Sequence, residues 1–170
     1  MEVLQLSLLA LFPALVIVAG LTDLTSMTIP NWISGLLIAG FFVAALVLGL
    51  SPTAIAAHVG VGLAALVAGA ILFALRFLGG GDAKLMAAVC LWLGVSGWSP
   101  FVLWTAAIGG LFCLALLVAR AHAQPLVAGG PGWIVRLMEP GGGIPYGVAI
   151  AAGALLALPT SPLALAAFAG

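Results

Sequence analysis

Charge is the scarcest property of this sequence. Four Lys or Arg and four Asp or Glu stand among 170 residues, so charged residues make up 5% and hydrophobic ones 65%. A soluble domain carries roughly 25% charged residues, and a soluble fold of this size cannot hide so much apolar surface. A soluble globular protein is thereby excluded, and the bilayer is the expected solvent and partner. The formal net charge is zero, which leaves no electrostatic footprint for nucleic acid. Cysteine is almost missing too. Cys90 and Cys113 each sit alone in an apolar run, with no Cys-x-x-Cys. Neither a zinc knuckle nor a redox pair is supported, and both are expected as small buried apolar residues. No Lys or Arg precedes Arg76. A secretory signal peptide needs a basic segment ahead of a short apolar stretch, so the first apolar run is expected to be retained. His-Glu-x-x-His and Gly-x-Ser-x-Gly are also absent. No metal and no cofactor is expected.

What is present is a series of apolar runs. A span needs about 20 apolar residues. Six candidates follow one another: Val3 to Leu21, Trp32 to Leu50, Thr53 to Leu78, Ala83 to Trp98, Phe101 to Ala119, and Ile144 to Leu158. The expected fold is an all-α polytopic membrane bundle, one domain over residues 1–170. Ser51-Pro52 and Ser99-Pro100 pair a serine cap with a proline suited to a first helical turn, so both are read as tight hairpins. Ser161-Pro162, after Pro159, is read as ending the sixth span in the same way. The tail from Leu163 to Gly170 is too short to cross again, and its alternative reading is an extension of the sixth span past a kink.

All four basic residues, Arg76, Lys84, Arg120 and Arg136, fall in or beside the third and fifth connections. Basic residues favour the cytoplasmic side. Odd-numbered connections are then cytoplasmic and both termini face outward. Asp23, ending the first span, and Asp82, starting the fourth, come to the same face at similar depth, although neither was used to set the topology. The long connection Arg120 to Gly143 contains Gly129-Gly130-Pro131-Gly132 and Gly141-Gly142-Gly143 around Trp133 to Met138. That inner piece is read as lying on the membrane surface, with a mobile cover over the site as the functional alternative.

Asp23 and Asp82 are the only aspartates. An ionised carboxylate at membrane depth costs roughly 2.5–3.5 kcal/mol on insertion scales, so such a residue is kept when paired or functional. The plain readings are a helix-ending aspartate at position 23 and a helix N-cap at position 82. Three glycines precede Asp82 (Gly79-Gly80-Gly81) and allow a second segment close approach. Lys84 is two residues on and points elsewhere on a helix. Two carboxylates within a few ångströms cannot both ionise easily, and the pair shares a proton. One member then accepts a proton from water while the other donates to a carbonyl oxygen. Competing groups are few. Glu2, Glu139 and His122 lie at a terminus or in the long loop, and His58 is expected as a hydrogen-bonded bundle residue. Trp32, Trp98 and Trp133 fit interfacial positions.

At these residues the chain resembles the prepilin peptidase family of polytopic aspartic peptidases. The family's Gly-x-Gly-Asp, followed by a basic residue and leucine, reads here Gly79-Gly80-Gly81-Asp82-Ala83-Lys84-Leu85. Its other motif, an aspartate and a short stretch to Ile-Pro-Asn, reads Asp23 through Ile29-Pro30-Asn31. Ile144-Pro145-Tyr146-Gly147 to Ile150 is similar to the family's final span. Leu24 to Thr28 holds none of the basic residues frequent there, and the cytoplasmic methyltransferase insertion of larger relatives is absent. The chain therefore resembles the small, peptidase-only form of Flp-type or Tad-type pilus systems. The resemblance implies a bacterial cytoplasmic-membrane endopeptidase. Its substrate would be a prepilin or pseudopilin, cut after a glycine at the end of a short basic leader. It implies Asp23 and Asp82 as catalytic residues, and Gly79, Gly81, Pro30, Asn31 and Tyr146 as shaping the site.

Two other classes stay open on sequence. A small transporter would use the aspartates as an ion site, and a non-catalytic assembly subunit would use them as caps. Side-specific labelling is expected to place residues 23 and 82 on one face of the bilayer; reaction from opposite faces would remove the shared site.

Overall fold

A computed structural model describes residues 2–122 and 129–168, with side chains from position 7 to position 166. Residues 123–128 of the long connection lie outside the described residues. The element order is α1 (Glu2–Ser26), α2 (Asn31–Val47), α3 (Pro52–Ala74), α4 (Gly80–His122), α5 (Gly132–Leu137), α6 (Tyr146–Ala157), a 3-10 turn (Leu158–Thr160) and α7 (Pro162–Phe168). No strand occurs among the described residues. The protein is an all-α bundle whose long helices are apolar enough to cross a membrane: Ser7–Ser26, Pro52–Ala74 and Gly80–His122, with Asn31–Val47 and Tyr146–Thr160 as shorter apolar helices.

Local chemistry sets most helix ends. Gly49, at φ 68°, ends α2: its N–H bonds to Leu46 O and Leu50 N–H to Ala45 O, a left-handed C-terminal cap. Ser51 then accepts from the Ala54 N–H at 3.2 Å, with Pro52 opening α3, so Ser51-Pro52 starts a helix as expected. Arg76 at φ 62° closes α3 in the same left-handed manner without a glycine. Met27 does so for α1 at φ 56°, donating to Asp23 O. Each non-glycine residue in that region costs about 1 kcal/mol or more, offset here by the carbonyls it satisfies.

The second expected hairpin lies elsewhere. Helix α4 has 43 residues, about 65 Å if straight, roughly twice the hydrocarbon thickness. It reverses at Gly94, the one non-helical residue inside it (φ 62°, ψ −163°), a region open to glycine and closed to other residues. Contacts on both sides prove the reversal. The first arm runs antiparallel to α3, with Gly69 against Ala83 and Gly62 against Leu91. The second arm runs back beside α6, with Gly109 against Ala149 and Gly153 against Thr105. Ser96, just past the bend, donates to Thr160 O at 2.7 Å. Ser99-Pro100, read as the turn, is instead helical within the second arm. Its cap-and-proline pattern loses to a tertiary constraint: the buried ring of His58 occupies the space beside Gly94. His58 Nδ1–H donates to Leu91 O at 2.7 Å, in the last turn before the bend.

The core centres on Trp92. Its indole N–H donates to Leu37 O at 2.7 Å, and its ring lies tilted 5.3 Å from Phe12 and edge-on 6.2 Å from Phe41. Small residues allow several of the closest helix approaches, such as Gly20 on Ala151 and Gly69 on Ala83, as is common between membrane helices. The surface is inverted: Leu46, Leu103 and Leu111 are 70% or more exposed. Past the 3-10 turn the tail folds inward, with Ser161 and Leu163 fully buried and Ser161 capping α7 through the Ala164 N–H. Gly94→Ala is expected to destabilise the bundle by about 2–4 kcal/mol. Its Cβ would stand 2.5 Å from the His58 ring at a backbone angle alanine resists. Thermal unfolding in detergent measures the loss.

Candidate active site

One end of the bundle gathers the polar chemistry. Helix α1 descends to Asp23, its fourth residue from the end, and α4 begins at Gly80, so that Asp82 lies in its first turn. Both aspartates are nearly buried, 6% and 9% exposed. They line a single cavity of about 250 Å³ with Met27, Thr28, Ile29, Gly79, Gly80 and Gly81, close enough to interact electrostatically.

Each carboxylate is held by a backbone amide. Asp23 Oδ2 accepts from the Gly147 N–H at 2.7 Å, across 124 residues of sequence. Gly147 lies in the first turn of α6, where N–H groups have no helical acceptor. Helix α6 has Pro145 at its N-cap and no side-chain cap of its own. Asp23 supplies that cap from α1, and the helix's positive end favours the charge. Asp82 Oδ2 accepts from the Gly79 N–H at 3.2 Å. This is the acidic half of a capping box, with the acid three residues inside the helix and Gly79 at the cap. Asp82 therefore does not occupy the N-cap position itself. Its Oδ1 is buried and has no hydrogen-bond partner among the described residues.

Two close approaches bring the acids together. A Cβ on Gly81 would lie 3.1 Å from Ile29 Cβ, and one on Gly147 would lie 2.8 Å from Asp23 Cβ and Oδ2. The α1–α2 turn thus packs onto the glycine run, and α6 packs onto Asp23. Pro30 opens α2, with φ −63° and ψ 138°. Asn31 accepts from Lys84 Nζ at 3.0 Å, which fastens the two sequence motifs to each other beside the cavity. Lys84 accordingly turns away from Asp82. Tyr146 is half-buried at the start of α6, next to Gly147, and is not among the residues lining the cavity.

Sequence reasoning missed Gly147, Ile29 and Arg120. Gly147 was visible only as the residue after Ile-Pro-Tyr; nothing local marks an amide that serves a carboxylate on another helix. Arg120 donates three hydrogen bonds to Leu137 O, Gly142 O and Gly143 O, and its position had suggested only a topology. The segment read from Trp133 to Met138 lies in α5 (Gly132–Leu137) and its C-cap Met138, with Leu137 buried and Trp133 36% exposed.

With this geometry in place, comparison with known proteins gives one result. The profile of the type IV leader peptidase family matches residues 10–114, well over half of the chain and both aspartates. No curated protein and no solved structure matches the chain. The chain belongs to the type IV leader peptidase family and is a membrane protein with leader peptidase activity in the general sense. Gly81→Ala and Gly147→Ala are each expected to lower that activity by about tenfold or more, because a misplacement near 1 Å costs on the order of a hundredfold. Initial rates on a leader-bearing substrate, with the folding of each variant checked by thermal unfolding, measure this.

Proposed function

We propose that this leader peptidase is an aspartic endopeptidase in which Asp23 and Asp82 together activate one water. The observation that carries the reading is that the chain's only two aspartates, on different helices, line one cavity at the same end of the bundle. Few other groups compete. Cys90 and His58 are buried in the bundle rather than at the cavity.

In the proposed reaction one carboxyl is ionised and the other protonated. The ionised member takes a proton from water as the oxygen attacks the scissile carbonyl carbon. The protonated member gives its proton to the carbonyl oxygen, and a neutral gem-diol forms. In collapse, the first acid returns its proton to the amide nitrogen, and the second recovers one from a diol hydroxyl. The C–N bond breaks, an amine and a carboxylic acid leave, and both acids regain their starting states. Which aspartate plays which part is a property of the coupled pair. The Gly147 and Gly79 amides fix one oxygen on each acid, and the other oxygen of Asp82 is left without a hydrogen-bond partner among the described residues. Fixed donors of this kind stabilise charge without reorganising during the step. Gly79 and Gly81 give the backbone room around Asp82, while Pro30, Asn31 and Tyr146 shape the approach.

The substrate proposed is a prepilin or pseudopilin of an Flp-type or Tad-type system, cut after the glycine that ends its leader. Cleavage is placed at the cytoplasmic face of a bacterial cytoplasmic membrane, with both termini outside. Support comes from the basic residues at the end that carries the acids: Lys84 on Asn31, and Arg120 on the loop before α6. A positive bias marks the cytoplasmic side.

Asp23→Asn and Asp82→Asn are each expected to lower processing by about a hundred- to ten-thousandfold while the protein still inserts. Co-expression with candidate prepilins, read by the mass of the mature N-terminus, checks this. Full processing by either variant would take that residue out of the mechanism. Aspartate-dependent ion flux in liposomes without cleavage would favour a transporter instead.

A further inference from the structure

We infer that Arg120 is a positioning residue for Asp23, acting through the loop that delivers the Gly147 amide. The inference rests on the reading of Asp23 as one of the two catalytic acids. Arg120 is half-buried near the end of the second arm of α4. Its guanidinium takes three separate backbone carbonyls: Nε donates to Leu137 O at 2.9 Å, Nη1 to Gly142 O at 2.9 Å and Nη2 to Gly143 O at 2.7 Å. Charge-assisted bonds of this kind are roughly twice as strong as neutral ones. The donors form a rigid planar fork that a lysine cannot copy.

The loop is shaped to receive that fork. Gly141 turns it at φ 73°. A Cβ on Gly142 would stand 3.0 Å from Glu139 O and 3.5 Å from Arg120 Nη2. Gly142 N–H also bonds to Glu139 O at 3.0 Å, closing the turn internally.

From the fixed carbonyl of Gly143 only Ile144, Pro145 and Tyr146 separate the clamp from Gly147. Proline holds one of those links at φ −74°, so little slack remains. The first turn of α6 has no side-chain cap of its own, and an uncapped helix start frays. Two things hold it: Asp23 from one side and the loop pinned by Arg120 from the other. Release of the loop frees the Gly147 amide, and with it the carboxylate oxygen that the amide orients. Arg120 touches neither acid, which makes it a residue that acts through another.

The test uses the full-length protein in detergent, with Arg120→Ala, Arg120→Lys and Arg120→Gln assayed on a synthetic peptide with a basic leader, a glycine and an apolar segment. Arg120→Ala is expected to lose about tenfold or more in kcat with KM within roughly twofold, as when an interaction in the reacting complex is lost rather than one in binding. Added guanidinium ion is expected to restore part of that kcat and to leave the wild type unchanged. Arg120→Lys is expected to stay low, since one ammonium cannot span three carbonyls. Hydrogen exchange by mass spectrometry is expected to speed up at residues 144–150 and to stay unchanged in the first arm of α4. Wild-type kcat in Arg120→Ala overturns the inference. So does a loss carried in KM, or a loss with neither guanidinium rescue nor faster exchange at 144–150. If Arg120→Ala does not fold, Arg120→Gln decides by the same kinetics and exchange. Asp23→Asn is assayed in parallel. An active Asp23→Asn breaks the reading of Asp23 itself, whereas an inactive Asp23→Asn beside a fully active Arg120→Ala breaks only the role given to Arg120.

Discussion

A carboxylate placed among apolar helices must find hydrogen-bond donors, and here the donors are backbone amides at helix starts. Asp23 binds the Gly147 N–H of α6, and Asp82 binds the Gly79 N–H of its own helix. The demand is strict because both side chains are nearly buried, and a buried carboxylate without a donor is costly. It also determines geometry. Helix α6 can be capped by Asp23 only if α1 and α6 meet at one level, and they do so through contacts as close as Gly20 on Ala151. Asp82 can share the cavity only if the α1–α2 turn reaches the glycine run, which the absence of a side chain at Gly81 permits. The site is therefore a by-product of satisfying two acids, with small residues allowing the helices near enough to do it.

The scarcity of charge made the class of fold legible, and apolar run lengths made most helices legible. Both acids were legible for a physical reason: an aspartate at membrane depth is expensive enough to stand out in a chain with so few charges. Ser51-Pro52 was readable because a serine cap and a first-turn proline act locally. Gly94 was not. Its need for a left-handed angle arises from the His58 ring lying against it, while nearby Ser99-Pro100 displays a stronger local turn signal. The same logic hid Gly147 and the Arg120 clamp. A backbone amide has no side chain to announce its role, and its partner lies 124 residues away. Lys84 was correctly read as facing away from Asp82, but its bond to Asn31 depends on how α2 lies against α4.

The family match ends at residue 114, before Arg120 and before α6. The matched part contains both acids, the glycine run and the α1–α2 turn. The unmatched part contains the amide that orients Asp23 and the arginine that pins the loop ahead of it. The two acids and their donors are thus divided along the chain: the acids come early, and one of the two fixed donors comes late. Recognition of the acids alone leaves out the helix that keeps one of them in place.

That division bears on how the protein is made. A ribosome releases α1, then the paired arms of α4, long before α6. Until α6 is made and docks, Asp23 has no amide to lean on, and α6 has no cap. A chain arrested after the long loop would carry both acids yet lack the assembled centre. Assembly of this cavity therefore waits on α6, and its Asp23 side is unfinished in any chain that stops before Gly147.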